Sequence, residues 1–126
     1  MKAHFILYVA DQSRSTIFYE KVLGLSPSLN VPGMTEFTLG TDIVLGLMPE
    51  TGIVRLLGDA IENPASAKGV PRAELYLRVD SPEIYLARAM AVDARELSPL
   101  LARDWGDIAG YCADPDGHVI AFARPL

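Results

Sequence analysis

The sequence has a single cysteine, Cys112, among its 126 residues. One thiol excludes an intramolecular disulfide, a thiolate zinc site and CxxC redox chemistry. An unpaired thiol also points to a reducing compartment, and a cytoplasmic location is expected. Basic residues are in the minority: eleven Lys and Arg against sixteen Asp and Glu leave a formal net charge of −5. No basic block occurs, so nucleic acid is not expected as a partner. The negative balance favours neutral or cationic ligands only as a bias. Long apolar runs are missing too. The longest near the N-terminus, Phe5 to Ala10, falls far short of the roughly 20 residues a membrane helix needs. No small-residue cleavage site follows it, so neither a targeting segment nor a membrane partner is expected.

What is present suits a packed core. Half of the residues are hydrophobic and 21% are charged, which excludes disorder as the main state. The length predicts one domain over residues 1–126.

His4–Val9 is strand-compatible at every position and ends at Ala10-Asp11. Asp11 or Ser13 can cap a helix over 13–23, in which Ile17, Phe18, Val22 and Leu23, with Tyr19 beside them, mark one face. Gly24 suits the left-handed residue that closes a helix. Strands are predicted near 26–31, 35–39 and 42–48, punctuated by Pro32-Gly33 and Gly40-Thr41. Residues 50–72 show no sustained period and read mostly as a linker, with Val54–Leu57 as a possible short element.

The pattern then repeats. Glu74–Val79 alternates strictly, and Ser81-Pro82-Glu83 is a helix start: a cap, a first-turn proline, and an acid at the positive end of the dipole. That helix is predicted to run to Met90 or Ala91. Strands follow near 93–97, 107–113 and 118–123, and Pro99–Trp105 reads as a turn or helical loop. A shift of 70 residues lays Leu7 on Leu77, Val9 on Val79 and His4 on Glu74. The chain therefore reads as two strand–helix–strand–strand–strand modules, about 1–49 and about 73–126.

Alternation sorts each strand's side chains onto two faces. Phe5, Leu7 and Val9 oppose His4, Ile6 and Tyr8; Leu75, Leu77 and Val79 oppose Glu74, Tyr76 and Arg78. The aliphatic faces are expected under the helices. The mixed faces have what a small-molecule site needs, apolar area with a few placed polar groups.

His4 with Val9 and Asp11, then Phe18-Tyr19 and Val22-Leu23-Gly24-Leu25, resembles the opening of the vicinal oxygen chelate superfamily, the group of glyoxalase I, bleomycin-resistance proteins and extradiol dioxygenases. Trp105-Gly106 followed by Asp114-Pro115-Asp116-Gly117-His118 resembles its closing motif. The resemblance implies an α+β fold in which two βαβββ modules form a cupped mixed sheet, and a homodimer. It also implies, in metal-dependent members, four ligands inside the cup. Carried over by position, these fall on His4, Gly46, Glu74 and Ala121.

Glycine and alanine offer no side-chain donor, so only His4 and Glu74 remain as ligands, fewer than a catalytic divalent site normally uses. The expected function is therefore binding of a small organic, drug-like or aromatic molecule in an aromatic-rimmed cup, with no tightly bound metal. The expected contacts are Tyr8, Gly46, Met48, Glu74, Tyr76, Arg78, Trp105 and Ala121. The alternative is a lyase, isomerase or dioxygenase that uses Ni, Zn, Mn or Fe on His4 and Glu74, with Glu74 as the one candidate base.

Each residue also has a plainer reading. His4 suits a hydrogen-bonded position at a strand start, Glu74 a rim carboxylate paired with Arg72 or Arg78, and Trp105 simple packing. His118 reads as a solvent-facing turn residue and Cys112 as an inert thiol in a strand. Asp104, Asp107, Asp114 and Asp116 read as turn and cap residues, because their spacing does not match a calcium loop.

Overall fold

The computed structural model describes all of residues 1–126. Its elements are β1 (Ala3–Val9), α1 (Gln12–Leu23), β2 (Leu29–Val31), β3 (Met34–Gly40), β4 (Ile43–Pro49), α2 (Glu50–Leu57), β5 (Glu74–Arg78), α3 (Pro82–Ala91), β6 (Arg95–Ala102), β7 (Asp107–Ala113) and β8 (Val119–Pro125). The strands form two four-stranded sheets, β1-β4-β3-β2 and β5-β8-β7-β6. In each, the first strand runs parallel to the last, and the other pairs are antiparallel. The predicted repeat of pattern is thus a repeat of topology, βαβββ twice, in an α+β fold. By contacts the chain divides into two compact units, residues 1–20 with 24–68, and 21–23 with 69–126.

In the first unit α1 opens as its sequence dictates. Asp11 caps it by accepting the Arg14 backbone N–H at 3.0 Å. Gly24 ends it in the left-handed region, its N–H bonded to the Glu20 carbonyl. The start of α1 is tied to the β2–β3 hairpin by polar side chains. Gln12 Nε2 donates to the Val31 carbonyl at 2.8 Å and Gln12 Oε1 accepts from Gly33 N–H at 2.9 Å. The hydroxyls of Thr16 and Thr35 are buried and bonded to each other at 2.8 Å. Val9, Phe18, Tyr19, Phe37, Leu45 and Leu47 are buried, with the Phe18 and Tyr19 rings edge-on.

Two expectations for this unit are corrected. Ile17 is exposed, so the buried stripe of α1 is Phe18, Tyr19, Val22 and Leu23. Phe5 is exposed as well, because β1 is an edge strand and only part of its aliphatic face is covered.

Residues 50–72 are more ordered than a linker. Glu50–Leu57 form α2, with Ile53 buried, and two 3₁₀ turns follow at Gly58–Ala60 and Pro64–Ala67. The helix rests on a short amphipathic period, and its interior Gly52 weakens that signal in the sequence.

In the second unit α3 lies on one face of its sheet. The Tyr85 ring packs on Phe122 with centroids 5.1 Å apart, and the Arg88 guanidinium stacks on Tyr85 at 4.5 Å. Gly110 of β7 makes room for the helix: a Cβ there would overlap the Leu86 side chain and press on the Leu100 backbone. Ser81 precedes α3 as expected, but its side chain makes no capping bond; its carbonyl accepts from Ile84 N–H instead. Strand β6 runs through Pro99 to Ala102, where a turn or helical loop was expected. It is the edge strand, and a proline there leaves no ladder bond unmade on the solvent side. Its pairing with β7 shifts register twice, between Glu96 and Ser98 and between Ser98 and Leu101.

Candidate functional site

The mixed face of the second sheet carries a connected polar cluster. Alternation puts Glu74, Tyr76 and Arg78 of β5 on the same side as Asp107, Ala109 and Tyr111 of β7, with Ala121 and Ala123 of β8 between them. Asp107 is 1% exposed, yet it is ionisable, so it needs partners. It has them. The Tyr76 hydroxyl donates to Asp107 Oδ2 at 2.5 Å. Arg78 donates from Nε to Oδ2 at 3.2 Å and from Nη2 to Oδ1 at 2.9 Å, a bidentate fork. Trp105 Nε1 then donates to the Tyr76 oxygen at 3.0 Å. The chain Trp105–Tyr76–Asp107–Arg78 therefore fixes an indole ring that is itself 54% exposed.

Beside it, Arg103 clamps the β6–β7 hairpin. Its guanidinium donates to Ser98 Oγ, the Pro99 carbonyl and the Ala109 carbonyl, and lies 5.2 Å from the Tyr111 ring centre. Burial raises the pKa of both phenols above the usual tyrosine value. For Tyr76 the bond to Asp107 adds to this rise; for Tyr111 the negative charge of Glu74 adds to it and Arg103 opposes it. Both stay neutral and act as hydrogen-bonding aromatic surface at physiological pH.

On the first sheet, Tyr8 lies opposite Met48 and Ile6 opposite Gly46, with Glu36 of β3 opposite Gly46 from the other side. His4 Nδ1 sits 3.3 Å from Glu36 Oε2. A Cβ on Gly46 would lie 3.0 Å from Ile6 Cγ1 and 3.3 Å from Met34 Sδ, so apolar atoms crowd the place of a donor side chain.

Of the expected contacts, then, the structure joins Tyr76, Arg78 and Trp105 through hydrogen bonds. Tyr8, Gly46 and Met48 share the mixed face of the first sheet. Glu74 stands by Tyr111 and not in an ion pair with Arg78, whose partner is Asp107. Ala121 is fully buried and pairs in register with Tyr76 on one side and Tyr111 on the other. Cys112 is a buried thiol whose pKa burial pushes up to about 11, the inert state expected of it.

Two readings are corrected. Asp107 is no turn residue but the buried acceptor at the centre of the cluster. Its signal lay in strand parity, since it falls in step with Ala109 and Tyr111 on the mixed face. His118 is not a free surface residue either: its Nδ1 lies 2.8 Å from Asp114 Oδ2. Asp114 Oδ1 also accepts the backbone N–H groups of Asp116 and His118. The carboxyl and imidazole atoms of Asp114, Asp116 and His118 lie within 4.8 Å of one another. Asp114 is already bonded through both oxygens, and the group pins the β7–β8 turn.

This is a two-module βαβββ protein with a polar and aromatic face on its second sheet. The family model of the Glyoxalase/Bleomycin resistance protein/Dioxygenase superfamily matches residues 3–122, and the chain belongs to that family. Solved structures agree. A glyoxalase-related enzyme from Fulvimarina pelagi superposes with a TM-score of 0.82 at 24% identity, over 98% of this chain and 87% of that one. A family enzyme from Burkholderia phytofirmans gives 0.82 at 18% identity, over 98% and 97%. An Agrobacterium tumefaciens protein solved by NMR gives 0.76 at 26% identity, over 100% and 98%. No curated protein matches the sequence.

The metal chemistry associated with this family does not fit the residues here. Of the four positions, only His4 and Glu74 carry donors. Gly46 is crowded by Ile6 and Met34, and Ala121 is a buried methyl.

Proposed function

We propose that this protein binds a small, planar, largely apolar organic molecule of drug-like size against the Tyr76–Trp105–Tyr111 face, without a tightly held metal ion. The observation that carries the reading is the anchored indole. Trp105 is half-exposed, yet its N–H is held by Tyr76, which is held in turn by the buried Asp107. A free surface tryptophan loses rotamer freedom when it stacks on a ligand, whereas an oriented one has already lost it, and preorganisation of this kind raises affinity. Tyr76 and Tyr111 add aromatic area. On this reading the function is sequestration of the ligand, and the working unit is a homodimer of about twice the chain mass in the cytoplasm.

Trp105 is the only tryptophan, so its fluorescence reports on the site directly. A panel of aromatic ligands is expected to contain compounds that quench or shift it saturably, equally well with and without EDTA. Trp105→Ala, followed by calorimetry, and Tyr76→Ala, followed by fluorescence, are expected to weaken binding. Abolition of binding by EDTA overturns the reading. So does stoichiometric binding of Ni²⁺, Zn²⁺, Mn²⁺ or Fe²⁺ that is lost in His4→Ala; that result would assign a metal-dependent lyase, isomerase or dioxygenase built on His4 and Glu74.

A further inference from the structure

A concave surface lies on the α3 side of the second sheet, away from the Tyr76 face. It is a groove of about 240 Å³ between α3 and the edge strand β6. Leu86, Ala87 and Met90 line it from the helix, and Leu100 lines it from β6. The two register shifts in the β6–β7 ladder fall at the same stretch, so the strand that walls the groove is irregular there. Ala87 and Met90 are exposed and Leu86 and Leu100 are half-buried.

The charged side chains lining this groove are Glu83, at the start of α3, and Glu96 of β6, both exposed. The chain's ion pairs are His4 with Glu36, Arg78 with Asp107 and His118 with Asp114, and none of them engages Glu83 or Glu96. The nearest arginine on the helix, Arg88, is turned onto the Tyr85 ring. The groove thus combines an apolar floor with a rim of one sign.

We propose that this groove is a second ligand site, selective for a small organic ammonium ion with an apolar or aryl tail. The tail covers Leu86, Met90 and Leu100 while the ammonium group lies between the two carboxylates. Charge complementarity selects the occupant: an anionic tail would place negative charge against Glu83 and Glu96, the charged side chains that line the groove. The volume suits a fragment-sized molecule, slightly below the usual range of about 300–1,000 Å³ for drug-sized ligands. This site is independent of the aromatic face, and either can fail without the other.

The test uses 4-phenylbutylammonium as probe and 4-phenylbutanol as its neutral isostere, followed by backbone amide shifts in ¹H–¹⁵N spectra of the whole chain. The expected result is saturable shifts in α3 and β6, with Tyr76 and Trp105 unmoved, and weaker binding of the alcohol. The double variant E83Q/E96Q, at two exposed positions, is expected to lose about fivefold in affinity for the amine and little for the alcohol. Added salt should narrow the difference. Ala87→Arg, at an exposed helical site, supplies a cation of its own and is expected to abolish binding. The proposal is overturned if the alcohol binds as tightly as the amine, if E83Q/E96Q is unchanged, or if no shifts appear in α3 and β6.

Discussion

Removing Asp107 should cost the second module more than removing the arginine that pairs with it. Asp107 has 2% of its side-chain surface exposed, while Arg78 has 62%. The two partners therefore respond differently to loss of the pair. Arg78→Ala leaves a buried carboxylate that keeps the Tyr76 bond but loses its cation and the donor to Oδ1; water that enters where the exposed guanidinium lay offsets part of this, and the expected cost is about 1–2 kcal/mol. Asp107→Ala removes the acceptor for the Tyr76 hydroxyl and the fork of Arg78. A hydrogen bond to a charged acceptor is worth about 1.5–3 kcal/mol, and the exposed guanidinium can turn to solvent. The expected cost is about 2–4 kcal/mol, with Asp107→Asn in between and Tyr76→Phe at about 1–2 kcal/mol.

The assay is urea unfolding followed by Trp105 fluorescence, since the indole N–H bonds to Tyr76 and senses the cluster. A double-mutant cycle should show coupling of Asp107 with both Tyr76 and Arg78. The reasoning fails if Asp107→Asn lies within 0.5 kcal/mol of wild type, a threshold set at about the usual range of surface substitutions. It also fails if Arg78→Ala is the more damaging change.

Three other outcomes follow from the geometry. Stability should decline in alkali: the folded-state pKa values of Tyr76, Tyr111 and Cys112 are all raised, the last from 9.0 to about 11, so their contribution is complete below the unfolded values and is lost as pH rises through the folded ones. Thermal melts from pH 8 to 11 check this, and a flat profile above pH 9 would contradict it. Asp11→Ala should destabilise the fold by about 1 kcal/mol through loss of the α1 cap, measurable by chemical denaturation, whereas Ser13→Ala should be nearly neutral. Gly110→Ala should destabilise by about 1–3 kcal/mol, because the new methyl meets Leu86 and the Leu100 backbone; Leu86→Ala should relieve part of that cost in the double variant.

The local order of elements was legible in the sequence because each depends on neighbours a few residues away. The alternation of Glu74–Val79, the Asp11 cap and the Gly24 terminator act within one turn or one strand, and the structure has them where the pattern puts them. The sequence predicts a β6 strand that stops short of Pro99, because proline breaks a strand in general; its tolerance at an edge depends on a neighbour that is absent, which no local pattern records. Helix α2 was obscured for a related reason, since its one buried residue, Ile53, is a sparse signal among Gly, Thr and Glu.

Tyr76 and Arg78 were legible as sharing a face from strand parity, whereas Trp105, in the turn before β7, stood out only by residue type, and Tyr111 was not among the expected contacts. Tyr76, Arg78 and Trp105 were expected at a ligand face, and their placement on one hydrogen-bonded chain came with the fold. Asp107 shows the limit of such a reading. Its neighbours in sequence, Asp104-Trp105-Gly106, look like a turn, and a turn aspartate normally faces water.

By itself, the sequence determined the two-module pattern, the lack of a disulfide, and the lack of side-chain donors at Gly46 and Ala121. Those properties reside in residue identity and short-range period. Only the tertiary structure decided that Asp107 is a buried acceptor and not a cap, that Arg78 serves Asp107 and not Glu74, and that α3 and β6 leave an acid-rimmed groove. Those depend on which strands become neighbours, and pairing between residues about 30 positions apart, such as Tyr76 and Asp107, is set by sheet register.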